Sequence, residues 1–329
     1  MDDGLIVRRR ERYAITVDAA EITRSRLPMP ASLRQALKER LGPLSKRARQ
    51  LGQTIALVRR RLELDVLLEV TELDEDQAIE ALDELVDAQI VVEDRDGEAD
   101  RVELSHSRFH DVLLEDLAPE AREHGHRRMG EVIESHHRGK LGPVVEELGY
   151  HFTQAGLDTK AYAFLRLSIE RHVRQSLFGE ALALIQRALD VEPKARPYLL
   201  LDEADSMLAE LYLQRNIAQN DLGQKDEAFA SVKEAERIAA AVGDPGLEAR
   251  VAAQLGQRLR GRGENEAAAR QFERARLKAT EAGDQTLLPE ILYQLGGLAW
   301  GRGDLQEAIR VWGSTLDLAT VVGDARWAA

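Results

Sequence analysis

Residues 243–284 read GDPGLEARVAAQLGQRLRGRGENEAAARQFERARLKATEAGD, and residues 283–324 read GDQTLLPEILYQLGGLAWGRGDLQEAIRVWGSTLDLATVVGD. Laid one over the other, they share Gly-Asp at both ends (Gly243-Asp244, Gly283-Asp284, Gly323-Asp324). They also match Leu255 with Leu295, Gly256 with Gly296, Gly261-Arg262-Gly263 with Gly301-Arg302-Gly303, Ala268 with Ala308 and Phe272 with Trp312. The period is 40 residues, and Gly223, Ala228, Val232 and Ala235 fall one period before Gly263, Ala268, Phe272 and Ala275. A fixed repeat of this length signals a solenoid, because each unit hides its apolar face only against its neighbours. Each unit reads as two helices. Gly256 and Gly296 let the second helix approach the first, and Gly223, Gly263 and Gly303 serve a turn with positive φ. The pairs Ala268–Phe272 and Ala308–Trp312 then give a small–large fit.

This order resembles the tetratricopeptide repeat, lengthened by several residues before each Gly-Asp. The resemblance covers about 130 residues, and half-matches such as Phe178-Gly179-Glu180-Ala181-Leu182 place the start of the superhelix earlier. In tetratricopeptide repeats the first helix of each unit lines a concave groove. Carried over, that register puts Arg250, Ala253, Gln257 and Arg260 in the groove from one unit, and Glu290, Tyr293, Gly297 and Trp300 from the next. A Tyr and a Trp beside an Arg suit a hot spot for a protein or peptide partner. Packing between repeats is the other use open to Tyr293 and Trp300. The last unit stops at Trp327-Ala328-Ala329, just inside its first helix, so the chain is expected to be a piece of a longer protein.

Ahead of the repeats the charge is unevenly spread. The chain carries −13 overall, but residues 1–61 carry +9, residues 62–120 carry −18 and the remainder −4. Residues 5–17 read as two short strands around a charged turn. Ser32 is expected to cap a helix bearing Leu33, Leu37 and Leu41, which Gly42-Pro43 stops. Further helices follow over 45–58, 65–70 and 74–88, the last with Ile79, Leu82, Leu85 and Val86 on one face. Ile90-Val91-Val92 and Val102–Leu104 then form a hairpin around Gly97. Three helices and a hairpin are the layout of a winged helix. A DNA-reading version would present Arg, Lys, Asn or Gln from its third helix. Here that helix, DEDQAIEALDELVDA, has seven acidic residues and no basic one, which phosphates would repel. From 107 onward the pattern is helical, with helices over 144–155, 158–174 and 178–190, and Pro193 and Pro197 breaking the run.

One stretch orders several motifs: Val102-Glu103-Leu104-Ser105-His106, Phe109 to Leu117, Pro119, His126-Arg127-Arg128, His151-Phe152, Ala155-Gly156 and Glu180-Ala181-Leu182. It resembles the region after the nucleotide-binding domain in bacterial signalling ATPases of the STAND type, where a winged helix links the ATPase to tetratricopeptide repeats. Large LuxR-type activators and ATPases fused to serine/threonine kinases or adenylate cyclases are relatives. The resemblance implies an ATPase domain of the same longer chain as a partner. It puts Arg8, Arg9, Arg10, Arg59, Arg60 and Arg61 where they would meet that domain. Solvated surface and nucleic acid are the other uses open to these arginines, and no interleaved aromatics support single-strand stacking. No G-x-x-x-x-G-K-[ST] is present, so nothing here cradles a β- or γ-phosphate, and no kinase H-R-D or D-F-G pattern occurs.

The expected fold is therefore mostly α: a small winged-helix domain followed by an α-α solenoid of tetratricopeptide-like repeats. The expected division is 1–31 strands and linker closing a preceding domain, 32–106 winged-helix-like, 107–197 helical linker with degenerate helix pairs, and 198–329 regular repeats. With no cysteine, disulfides and thiolate metal sites are excluded. His106 and His110 have i, i+4 spacing but neither H-E-x-x-H nor a convincing third ligand, so no metal or other cofactor is assigned. No G-x-S-x-G occurs, and the reading is non-catalytic. No apolar run approaches a membrane span and no signal peptide is visible, so a cytoplasmic protein is expected. A regulatory and scaffolding role follows. The alternatives are a DNA-binding transcriptional regulator and a stand-alone peptide-binding adaptor.

Overall fold

The computed structural model describes residues 6–9, 12–15, 29–58, 60–71, 73–94 and 100–322, the first two segments as backbone only. These residues fall into two compact units that divide between Val132 and Ile133. No helix among them is long and apolar enough to cross a membrane.

The first unit begins with an antiparallel ribbon, β1 (Ile6–Arg9) against β2 (Arg12–Ile15), with Ile6 opposite Ile15. There follow α1 (Ala31–Leu41), α2 (Lys46–Ala56), β3 (Leu62–Glu63), α3 (Leu64–Val70), α4 (Glu75–Asp87), β4 (Val91–Asp94) and β5 (Arg101–Leu104). The three strands form one antiparallel sheet in the order β3-β5-β4, with Leu62 and Glu93 flanking Val102. Helices α5 (Arg108–Glu115) and α6 (Pro119–His136) come next. The core is built from Leu51 and Ile55 of α2, Leu82 and Leu85 of α4, Val102 of β5, and Phe109 and Leu113 of α5. Gly52 permits the close approach, since a Cβ there would lie 3.3 Å from Leu85 and 3.4 Å from Leu113. Ser45 ties α2 to α4. Its Oγ accepts from the Ala48 N–H as an N-cap, while its own N–H and hydroxyl both donate to Glu84 at 2.6 Å.

The structure corrects the local reading of this unit in two places. Helix α1 starts at Ala31 behind Pro30 with no side-chain cap, so Ser32 lies inside the first turn rather than capping it. Pro30 itself holds the N-cap position, at φ −55° and ψ 138°, and offers no side-chain acceptor to the first-turn N–H groups. Ile79 is 43% exposed, because the buried stripe of α4 runs through Ala78, Ala81, Leu82 and Leu85, about one residue round from the expected face. The tip of the hairpin around Gly97 lies outside the described residues.

The second unit is a stack of helices: α7 (Val145–Gln154), α8 (Asp158–Arg174), α9 (Phe178–Ala195), α10 (Leu201–Asp221), α11 (Lys225–Val242), α12 (Pro245–Gly261), α13 (Asn265–Ala282), α14 (Leu288–Gly301) and α15 (Leu305–Val322). Even-numbered helices from α8 pack on the odd-numbered helix that follows, and each pair packs on the next. The turns inside the last three pairs use Gly223, Gly263 and Gly303 at φ 78°, 80° and 81°. Between pairs, Asp244 accepts from the Leu247 N–H at 2.7 Å as the N-cap of α12. Pro193 does not end α9, which runs on to Ala195. A proline so close to the end removes only one ladder bond, and buried Val191 and Ala195 hold the last turn in the core.

The small–large fit is explicit in the structure. A Cβ on Gly256 would lie 2.8–3.0 Å from the ring of Phe272, and one on Gly296 would lie 2.3–2.9 Å from that of Trp312. One period earlier the corresponding positions hold Asn216 and Val232, both buried, so a larger residue replaces the glycine on the first helix and a smaller one the ring on the second.

Candidate functional site

The first helices of successive pairs, α8, α10, α12 and α14, line a cavity of about 620 Å³. Its walls repeat a helical pattern. Position one is Ala163, Glu210, Arg250 and Glu290, and one turn on stand Leu167 of α8, Gln214 of α10 and Gln254 of α12. Residues three or four apart share a helix face, which is why these positions point the same way. The lining is mixed: Leu167, Leu213 and Ile217 give apolar wall, and charged groups sit above it.

Those charges are tied to each other. Glu210 accepts from Arg166 Nη2 at 2.7 Å on one side and from Arg250 Nη2 at 3.0 Å on the other, so one carboxylate joins α8, α10 and α12. Gln257 Nε2 donates to Glu290 at 2.6 Å, joining α12 to α14. Asn216, fully buried, donates to Gln254 Oε1 at 3.1 Å, and Arg260 donates to Gln294 Oε1. Gln214 Oε1 is buried with no hydrogen-bond partner. Ahead of α14, Asp284 accepts from the Thr286 hydroxyl at 2.6 Å, and that bond, against partial burial, holds its carboxyl below the ordinary aspartate range.

The groove positions inferred from the repeat register separate into two groups. Arg250 and Glu290 line the cavity, together with Ala253. Gln257, Arg260, Tyr293 and Trp300 lie outside its lining. Tyr293 is 46% and Trp300 57% exposed, yet both rings also meet Trp312, with centroids 6.3 and 6.0 Å away. Trp312 Nε1 donates to the Tyr293 carbonyl at 3.2 Å. Tyr293 and Trp300 are therefore partly exposed and at the same time packed on Trp312. Sequence reasoning missed Arg166, Leu167, Glu210 and Gln214. For Glu210 and Gln214 a signal existed: Glu210 is one period before Arg250 and two before Glu290, and Gln214, Gln254 and Gln294 are a run of glutamines 40 residues apart. For α8 it did not, because its turn residue Ser176, at φ 59°, precedes Gly223 by 47 residues rather than 40.

Of the arginines in the first unit, Arg8 and Arg9 lie in β1 without described side chains, and Arg10 and Arg59 lie outside the described residues. Arg60 is exposed. Arg61 is bonded to Asp94 and lies 3.3 Å from Glu103, so its guanidinium is held by the acids of the hairpin. His110 Nδ1 meets the Ala56 carbonyl at 2.9 Å, and His106 Nδ1 meets the Arg108 N–H at 3.2 Å. Among the described residues no group of three His, Asp or Glu is placed to hold a metal ion.

Paired helices, left-handed glycine turns and a concave row of first helices define the class, a tetratricopeptide-like α-solenoid. Two solved structures share that fold. Aspartyl phosphate phosphatase F from Bacillus subtilis aligns with TM-score 0.50 at 16% identity, over 90% of this chain and 70% of that one. The apo form of RapI aligns with TM-score 0.50 at 10% identity, over 90% and 73%. A signal transduction ATPase with numerous domains and a tetratricopeptide repeat sensor, from Pyrococcus horikoshii, aligns at 12% identity over 92% of this chain and 48% of that one. Its TM-score is 0.39. No protein-family model and no curated protein matches the sequence.

Proposed function

We propose that the second unit is a non-catalytic recognition module that takes a polypeptide segment of a partner along the row α8, α10, α12 and α14. The observation that carries this reading is the 620 Å³ cavity with its mixed lining. Ligand sites are concave, mostly apolar, and carry a few convergent polar groups. Arg250 and Glu290 are contact residues in this reading, with Gln257, Arg260, Tyr293 and Trp300 extending the surface toward the last pair.

The proposal extends to the rest of the chain. Within the first unit, the run α2-β3-α3-α4-β4-β5 with sheet order β3-β5-β4 supports reading 32–106 as a winged helix. Residues 107–197 read as linker and degenerate pairs, and 198–329 as regular repeats. In a STAND-type setting the module would relay its occupancy to an ATPase domain of the same longer chain, which Arg8–Arg10 and Arg59–Arg61 would meet. Such a relay requires that the ligand bind the two states with different affinity. DNA reading is disfavoured by the exposed face of α4, which presents Glu75, Asp76, Glu80, Asp83 and Asp87.

The test is selection of binders from a displayed random-peptide library on the purified full chain. Peptides so selected should lose binding to Ala163→Trp, which adds bulk at an exposed position on the cavity wall without entering the core. Retained binding by a folded Ala163→Trp variant, or the absence of any binder, would refute the groove.

A further inference from the structure

The later helix pairs are joined through Gly-Asp turns, Gly243-Asp244 ahead of α12 and Gly283-Asp284 ahead of α14. The joint between α9 and α10 differs. It reads Arg196-Pro197-Tyr198-Leu199-Leu200-Leu201 and opens with a single 3-10 turn, Arg196–Tyr198. Tyr198 is 78%, Leu200 69% and Leu201 68% exposed, the three most exposed large apolar side chains among the described residues. The joint is nevertheless fixed in place. Arg196 donates to Glu192 Oε1 at 2.6 Å and to Asp205 Oδ1 at 2.7 Å, which clamps the end of α9 to the start of α10. The Leu199 N–H donates to the Arg196 carbonyl and the Ala204 N–H to the Leu200 carbonyl, and Ala195 and Ala204 are buried on either side. A backbone held in this way keeps the three side chains in water. Large apolar groups displayed together mark an interaction surface, and a rigid frame lowers the ordering cost of binding.

The rim identifies the occupant. Lys194 is exposed on the α9 side of the joint, and Asp202 and Glu203 are exposed on the α10 side. None of the three has an ion-pair partner among the described residues. A twofold interface uses the same patch on both partners, so that residue i meets j while j meets i. An apolar centre with a cation on one side and anions on the other meets that requirement. We infer that this joint is the contact surface of a homodimer, in which Tyr198, Leu200 and Leu201 pack on their counterparts in a second copy while Lys194 of each copy meets Asp202 and Glu203 of the other. A membrane surface fits less well, because two acids flank the patch and the chain carries −13, which anionic lipid repels. Three side chains and their rim fall short of the roughly 800 Å² per partner of a standard interface. The dimer is therefore reversible, and its share rises with concentration.

Sedimentation velocity of the full chain over a range of concentrations reads the assembly. The wild type should pass from monomer toward dimer and no further. The variant Tyr198→Ser/Leu200→Ser should keep its fold, since both side chains are exposed and residue 200 holds the N-cap of α10 at φ −64° and ψ 139°, a place that favours Ser. Circular dichroism checks this. Its dissociation constant should rise ~10- to 100-fold, as for the loss of central contacts. Lys194→Glu and Asp202→Lys/Glu203→Lys should each weaken the dimer by setting like charges together, and the variant that combines all three changes should restore it. A wild type that is monomeric throughout, a dimer unchanged in the folded Ser variant, a combined variant no better than its parents, or assembly beyond the dimer would each overturn the inference. Should a monomeric wild type co-sediment with vesicles of phosphatidylcholine and phosphatidylglycerol while the Ser variant does not, the patch belongs to a lipid surface and the second copy is wrong.

Discussion

The fit between Gly256 and Phe272 allows a quantitative test of how the repeats are held together. Gly256 lies inside α12 and is buried, and its substitution by Ala would set a Cβ 2.8, 2.9 and 3.0 Å from three atoms of the Phe272 ring. That ring is 1% exposed and cannot swing into solvent. Overpacking of this kind costs ~1–3 kcal/mol, and the better helix propensity of Ala returns about 1 kcal/mol. The expected net destabilisation is therefore ~0–2 kcal/mol. Gly261, at the end of the same helix, has nothing within 4 Å of its Cβ position. Gly261→Ala should gain about 0.5–1 kcal/mol from propensity alone. The decisive measurement is the double-mutant cycle with Phe272→Val, which places at 272 the residue type found one period earlier at Val232. Phe272→Val alone should cost ~2–4 kcal/mol through the cavity it leaves, and Gly256→Ala in that background should become neutral or favourable, a coupling of ~1–3 kcal/mol. Urea unfolding, with the m-value checked for constancy, reads all four proteins. Strict additivity, or Gly256→Ala as stabilising as Gly261→Ala, would refute the close-contact argument.

Three further outcomes are expected from the same structure. His126 is fully buried, and burial, helped by the charge of Arg122, pushes its pKa down from 6.5 to about 4. The unfolded chain then binds the proton first, so this group's share of stability is present above pH 6.5 and is lost between about 6.5 and 4. The slope is at most about 1.4 kcal/mol per pH unit, and His126→Gln should flatten the pH dependence of the urea midpoint in that window. Ser45→Ala removes both the N-cap of α2 and the tie to Glu84, and should cost about 1–2 kcal/mol in thermal unfolding of the first unit. Fluorescence anisotropy with random duplex DNA should show no salt-dependent binding. A steep loss of affinity with added salt would instead mark counterion release and revive the DNA-reading alternative.

The described architecture was largely legible in particular residues. Gly223, Gly263 and Gly303 marked left-handed turns because few other residues take that backbone. Gly256 and Gly296 marked close helix contact because their large partners, Phe272 and Trp312, recur at fixed distance. Where local reading failed, a neighbouring force had prevailed: tertiary packing carried α9 through Pro193, and the set of the core rotated α4 so that Ile79 faces out. The candidate site was half legible. Arg250 and Glu290 followed from the register, whereas Arg166 and Leu167 did not, since α8 stands outside the 40-residue period.

That these residues form helix pairs stacked in series follows from the residues alone, because turn chemistry, helical periodicity and the size match of facing residues are all local or one period apart. The contents of the concave face depend instead on how the pairs pack. Glu210 bridges Arg166 and Arg250 across three helices, Gln214 keeps an unmatched oxygen, and Tyr293 and Trp300 share Trp312. Each of these depends on how far one helix pair is turned and shifted against the next, and that is set by the summed packing of many side chains rather than by any one motif.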